Sequence, residues 1–113
     1  MSRRTLSPRR PGAGDHTDPQ GLAALAARFL EYLEVKNYSP QTVRARWRSL
    51  GYFIEWCEAR GVTRPHEVTR AVLERYQRWL FHYRQKSGGP LSISTQHRRL
   101  TAIRVYFRWL ARQ

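Results

Sequence analysis

The chain has 113 residues, enough for one domain with a modest apolar core. Its formal charge is +13, and its one cysteine, Cys57, excludes an internal disulfide. No apolar run approaches a membrane span, and the first 21 residues lack the hydrophobic stretch of a secretory signal, so a cytoplasmic location is expected.

Residues 1–19 are rich in Pro, Gly, Ser and Arg and have no apolar period. They are expected to form a disordered basic arm, a solvated tail or a source of phosphate contacts through Arg3, Arg4, Arg9 and Arg10. Residues 20–113 read as a helical domain. The first helix is expected from about Gln20 to Lys36, burying Leu22, Leu25, Phe29, Leu30 and Leu33, with Asn37-Tyr38 as its break. Ser39 then caps a second helix that opens on Pro40 and carries Val43, Trp47, Leu50, Phe53, Ile54 and Cys57 on one side. Gly61 is placed to end it.

Pro65–Val68 suggests a short helical turn. Thr69 caps a third helix that buries Leu73, Tyr76, Leu80 and Tyr83. Ser87-Gly88-Gly89-Pro90 breaks the chain, and Ser94 or Thr95 caps a fourth helix whose stripe is Leu100, Ile103, Phe107 and Leu110. No segment alternates with period two for long enough to predict a strand. The expected architecture is all-α, a four-helix bundle.

The charge is regional. Residues 1–19 hold four basic residues and two acidic ones, and residues 20–74 hold eight and six. Residues 75–113 hold nine basic residues and no acid. At about 100° per residue, His97, Arg98, Thr101, Arg104, Arg108 and Arg112 share one face of the fourth helix, away from its apolar stripe. A helix with one apolar and one all-basic face calls for a polyanion opposite it. The near-exclusive use of arginine suits phosphate and guanine edges, although GC-rich codons would also raise it.

Two helix starts carry hydroxyls and amides that suit phosphate oxygens. One is Ser39-Pro40-Gln41-Thr42, followed by Arg44, Arg46 and Arg48; Gln41, Arg44, Arg48 and Tyr52 lie opposite the apolar stripe, with Arg46 near its edge. The other is Ser94-Thr95-Gln96-His97-Arg98-Arg99. In the plainer alternative the serines only cap their helices and the arginines are solvated. Tyr52, Trp56, Val105 and Trp109 lie off the main stripes and either pack on a neighbouring helix or meet a partner protein. The four histidines have no ligand-like spacing with Cys57 or with paired carboxylates, and no phosphate loop or Ser/His/Asp arrangement is visible. No enzyme chemistry, metal, cofactor or small-molecule ligand is therefore expected of this chain.

At the two helix starts the chain resembles the N-terminal core-binding domain of the tyrosine recombinases, of the phage integrase and Xer type. The first signature is carried by Ser39, Thr42, Leu50 and Phe53, with Arg46 where the family usually has Tyr. The second is carried by Thr95, Arg98-Arg99-Leu100-Thr101-Ala102-Ile103-Arg104, then Tyr106-Phe107 and Leu110, with the aromatic pair in reversed order. The resemblance covers about Leu22 to Gln113. It implies a SAM-like orthogonal four-helix bundle that forms one jaw of a clamp on double-stranded DNA, its second and fourth helices near the major groove. It implies that strand cleavage belongs to a separate C-terminal domain, so none of the tyrosines here is the nucleophile.

The residues expected to meet DNA are Ser39, Thr42, Arg44, Arg48, Thr95, His97, Arg98, Arg99, Thr101, Arg104 and Arg108. Other recombinase protomers on the DNA are further expected partners, and a bacterial nucleoid-associated location follows. Two other readings remain at this point. One is a standalone helical DNA-binding regulator or architectural protein, which the close of the chain directly after a helix disfavours. The other is a protein–protein module built on Trp56 and Trp109.

Overall fold

The structure, a computed structural model, describes residues 14–113. Four α-helices follow one another: α1 (Leu22–Val35), α2 (Pro40–Glu58), α3 (Arg70–His82) and α4 (Ile93–Leu110). A 3-10 turn, Pro65–Glu67, lies between α2 and α3. Among the described residues there is no strand; a lone bridge joins Arg84 and Pro90 across the Gly88-Gly89 turn. The chain is an all-α bundle, as its periodicity predicts.

Local chemistry sets the helix ends. Ser39 stands in extended backbone, its Oγ accepts the Thr42 N–H at 3.1 Å, and Pro40 takes the first helical position. An N–H there would have no partner within the helix, so proline gives up nothing. Thr69 caps α3 in the same way, its Oγ1 accepting the Val72 N–H at 3.2 Å. Asn37 (φ 65°) and Gly61 (φ 79°) close α1 and α2 in left-handed backbone. Beyond them the Tyr38 N–H reaches back to the Leu33 carbonyl and the Val62 N–H to the Cys57 carbonyl. These bonds satisfy carbonyls that the helix end would leave unpaired.

The fourth helix starts earlier than expected. Its cap is Ser92, not Ser94 or Thr95: Ser92 Oγ accepts the Thr95 N–H at 3.0 Å. Ile93, the first helical residue, is 75% exposed, so the apolar period begins well after the helix does. Ser92→Ala should accordingly cost about 1 kcal/mol of stability, as lost caps do, whereas Ser94→Ala should leave the melting temperature nearly unchanged. Thermal melts of the two variants check this; equal losses would return the cap to Ser94.

Both α1 and α4 pack on α2, and α3 packs on α4. Phe53 of α2 sits at the centre, with ring contacts to Tyr76 (5.0 Å between centroids), Trp56 (6.5 Å) and Phe107 (6.5 Å). Trp56 is buried and Trp109 is half-buried against Phe29 and Tyr32, so both are taken up by the bundle. Val105 is half-buried on the same core, and Tyr52 remains exposed. Cys57 is fully buried, and burial pushes its thiol up to about 12, the state of an inert core group.

The buried side of α4 is turned from the expected stripe. Ala102, Ile103 and Tyr106 are buried, while Leu100, Phe107 and Leu110 are only half-buried. Contact with α1 on a second flank explains the turn: the buried Tyr106 hydroxyl donates to the Leu22 carbonyl at 2.9 Å. In α3, Val72 is buried, Leu73 half-buried and Tyr83, just past the helix end, exposed.

Residues 1–13 of the expected arm, with Arg3, Arg4, Arg9 and Arg10, lie outside the described residues. Its remainder is seated on the bundle. The Asp15 N–H donates to Glu58 Oε2 at 2.8 Å, and Asp18 pairs with Arg64 at 2.9 Å. The Arg64 guanidinium holds the Asp18 carboxyl below the usual carboxylate range. At Gly14 (φ 87°) a Cβ would lie 2.6 Å from Ala23 Cβ and 2.7 Å from Ile54 Cγ2, so a side chain there would collide with the core. The packed unit thus begins by Gly14 and not at residue 20.

Candidate nucleic-acid interface

The N-terminal halves of α2 and α4 form the walls of an open groove of about 450 Å³. From α2 come Thr42, Ala45, Arg46 and Ser49, the three- and four-residue spacing of one helix face. From α4 come Ser94, His97, Arg98, Thr101 and Ala102. The lining is cationic and hydroxylic, with no carboxylate. Such a surface offers donors and positive charge to an anion and nothing that repels one.

Capping residues border this groove. Thr42 Oγ1 accepts from the Ser39 hydroxyl at 3.0 Å, while its own N–H goes to Ser39 Oγ. The same pattern repeats on α4, where the Ser92 hydroxyl donates to Thr95 Oγ1 at 3.0 Å. Thr95 Oγ1 also accepts from Arg98 Nη2 at 3.2 Å. Thr95 therefore stands at the edge of the groove and steadies Arg98, which is exposed.

Arg104 and Arg108 are exposed and continue the His97–Thr101 face along α4, since about 100° per residue brings all four within one arc. The other expected residues are dispersed. Arg44 and Ser39 line a separate recess with Glu34, Asn37 and Tyr38. Arg48 is exposed on the outer side of α2, between the two recesses on the helical wheel. Arg99 turns away from Arg98: it is half-buried, its Cζ 4.1 Å above the Tyr52 ring, beside Trp79, Tyr83 and Lys86. The structure thus gathers Thr42, His97, Arg98 and Thr101, supports them with Thr95, and extends them with Arg104 and Arg108.

Three polar groove residues were not among those expected to meet DNA: Arg46, Ser49 and Ser94. Arg46 is half-buried, and its Nη1 is sheltered from solvent with no hydrogen-bond partner among the described residues. The signal for it was present, because positions 42, 46 and 49 fall on one helical face. Among the described residues no group of His, Cys, Asp or Glu could hold a metal ion, and no helix is long and apolar enough to cross a membrane.

The sequence of this bundle has a match among known families. Residues 25–113 match the family described as phage integrase, N-terminal SAM-like domain, and the chain belongs to that family. Over 83 residues it is 54% identical to a protein named tyrosine recombinase XerC 2, from Ralstonia nicotianae (strain ATCC BAA-1114 / GMI1000). The matched stretch covers 74% of this chain and 24% of the relative, so it spans about a quarter of that protein's length. No solved structure matches the chain. The region matched is the N-terminal SAM-like domain and not the catalytic domain.

Proposed function

We propose that this chain is the DNA-binding domain of a site-specific tyrosine recombinase, one jaw of a clamp on duplex DNA. The observation that carries this reading is the acid-free groove between α2 and α4, lined by Arg46, His97, Arg98 and hydroxyls and prolonged by Arg104 and Arg108. The relative's name, a tyrosine recombinase, supports it. Phosphate contacts supply most of the affinity in such an interface, and a few arginines facing base edges supply sequence preference. Further protomers on the same DNA and a location at the bacterial nucleoid belong to this reading. Strand cleavage falls to a domain that this chain does not contain.

The protein–protein alternative loses its footing, because Trp56 and Trp109 are engaged within the bundle. A titration of the chain against labelled duplex at several salt concentrations tests the proposal. The expected affinity is on the order of micromolar or weaker at physiological salt and falls steeply as salt rises. Binding that ignores salt, or a covalent DNA adduct formed by this chain alone, would sink it.

A further inference from the structure

We infer that an aromatic recess on the α3 side of α4 docks a short acidic segment of another protein, anchored by one aromatic or large apolar side chain. The recess measures about 430 Å³ and shares no residue with the groove between α2 and α4. Tyr52 of α2, Trp79 of α3 and Tyr83 supply its aromatic walls, with the buried Leu91 among them. Arg99 of α4 and Lys86 of the following turn supply its charge, and no carboxylate lines it.

The recess is built before any partner arrives. Trp79 stacks on the buried Tyr76 at 6.0 Å and meets Tyr83 at 5.1 Å, so the wall is fixed to the core. Across the turn the Gln85 N–H donates to the Gly89 carbonyl at 2.9 Å and the Gly88 N–H to the Gln85 carbonyl at 2.8 Å. Gln85 Nε2 donates to the Pro90 carbonyl at 2.9 Å. These bonds hold Lys86 at the mouth, and a preformed site saves the ordering that binding would otherwise cost. Tyr52 is 40% exposed and Tyr83 39%, so both rings keep apolar surface in water that a partner would cover. Tyrosine, tryptophan and arginine are the residues that concentrate at the centre of protein interfaces.

Charge selects the occupant. Arg99 is half-buried with its Cζ 4.1 Å above the Tyr52 ring. A guanidinium covered on one face keeps its edge donors for the fork of a carboxylate. Residues 1–13 of this chain carry four arginines and no acid, the wrong sign for this site. A second copy offers no free acidic segment either. Its Asp15 and Asp18 are seated on the bundle, and its other acids lie in helices or in the 3-10 turn. A DNA duplex presents a convex wall of phosphates, and a base would enter such a recess only by leaving its stack. A side chain of an extended peptide enters freely, with neighbouring carboxylates reaching Arg99 and Lys86.

The test pans a random peptide library displayed on phage against the chain and against Tyr83→Ala and Lys86→Glu. Both positions are exposed, and circular dichroism confirms that the variants fold. Enriched peptides should pair Asp or Glu with one Trp, Tyr, Phe or Leu, and both variants should lose that enrichment. The best of them, synthesised with a fluorescent label, should lose about tenfold or more in affinity with each variant and with Arg99→Gln. Arg99→Lys should keep part of the binding. The peptide should shift the Trp79 indole N–H in NMR spectra and leave that of Trp109 unmoved.

No enrichment, enrichment of basic or neutral peptides, or the same peptides on wild type and both variants overturns the inference. Labelled duplex should stay bound when peptide fills the recess. Displacement of the peptide by single- or double-stranded DNA, with DNA affinity lost in Tyr83→Ala, assigns the recess to nucleic acid and overturns it as well. A chain that binds the peptide and no duplex upholds the inference and sinks the DNA-binding reading.

Discussion

Replacing Arg98 and Arg104 together with glutamate should abolish measurable duplex binding by this chain at physiological salt. Arg98 lines the groove from the first half of α4, where Thr95 holds it in place, and Arg104 continues that face in the second half of the helix. Each arginine that neutralises a phosphate contributes about one to the log–log salt slope. Reversal removes that contribution and sets a like charge against the backbone. The single alanine variants separate two roles. An arginine on phosphate lowers the slope by about one and weakens every sequence equally. An arginine on a base edge costs about 1–3 kcal/mol at its preferred site and relaxes the preference there. Titrations of the three variants at several salt concentrations, with circular dichroism to confirm the fold, decide between them. Wild-type affinity and slope in the double variant would mean that this face of α4 is merely solvated.

Phe53→Ala should be the most damaging core substitution. Phe53 is fully buried and its ring touches Trp56, Tyr76 and Phe107, so it bridges α2 to α3 and α4. Deleting a buried phenyl ring costs about 3–5 kcal/mol, from lost transfer energy and the cavity left behind. Small domains hold only about 5–15 kcal/mol in all. The variant should be largely unfolded at body temperature, whereas Val35→Ala, at a position 78% exposed, should change stability by less than about 0.5 kcal/mol. Urea melts of both variants test the contrast; a loss below about 1 kcal/mol at Phe53 would mean that its neighbours refill the space.

Most of the fold could be read from punctuation and period. Ser39-Pro40, Thr69, Asn37 and Gly61 each impose one backbone geometry, and each stands where the sequence placed it. The start of α4 was harder because Ser92, Ser94 and Thr95 are all competent caps. Ile93 is exposed and joins no stripe, so the apolar period pointed to the later residues. Residues 14–19 read as an arm because their hold on the bundle uses a glycine, a backbone N–H and a carboxylate, which leave no hydrophobic pattern.

The candidate site was legible along α4 and less so across the helices. A helical wheel treats everything opposite the apolar stripe as one surface. Two packed helices meet on a flank of each, next to the stripe. That flank on α2 is Thr42, Arg46 and Ser49, so Arg44, on the far side, drops out and Arg46, at the stripe's edge, comes in. Arg99 follows the same logic: adjacent to Arg98 in sequence, it is turned by about 100° onto Tyr52.

The hydrogen bond from Tyr106 to the Leu22 carbonyl spans 84 residues of sequence, and it bears on how the chain is made. One side of α1 gains cover as soon as α2 exists. Phe29, however, meets Tyr106 and Trp109 only when the last helix arrives. During synthesis the first helix must therefore wait, partly bare, for the last. Nucleation is local, but closure is not, and long loops that close late slow folding. Trimming the final two turns of α4 would not yield a slightly shorter domain; it would leave the bundle open along its length, with the apolar face of its first helix exposed to aggregation.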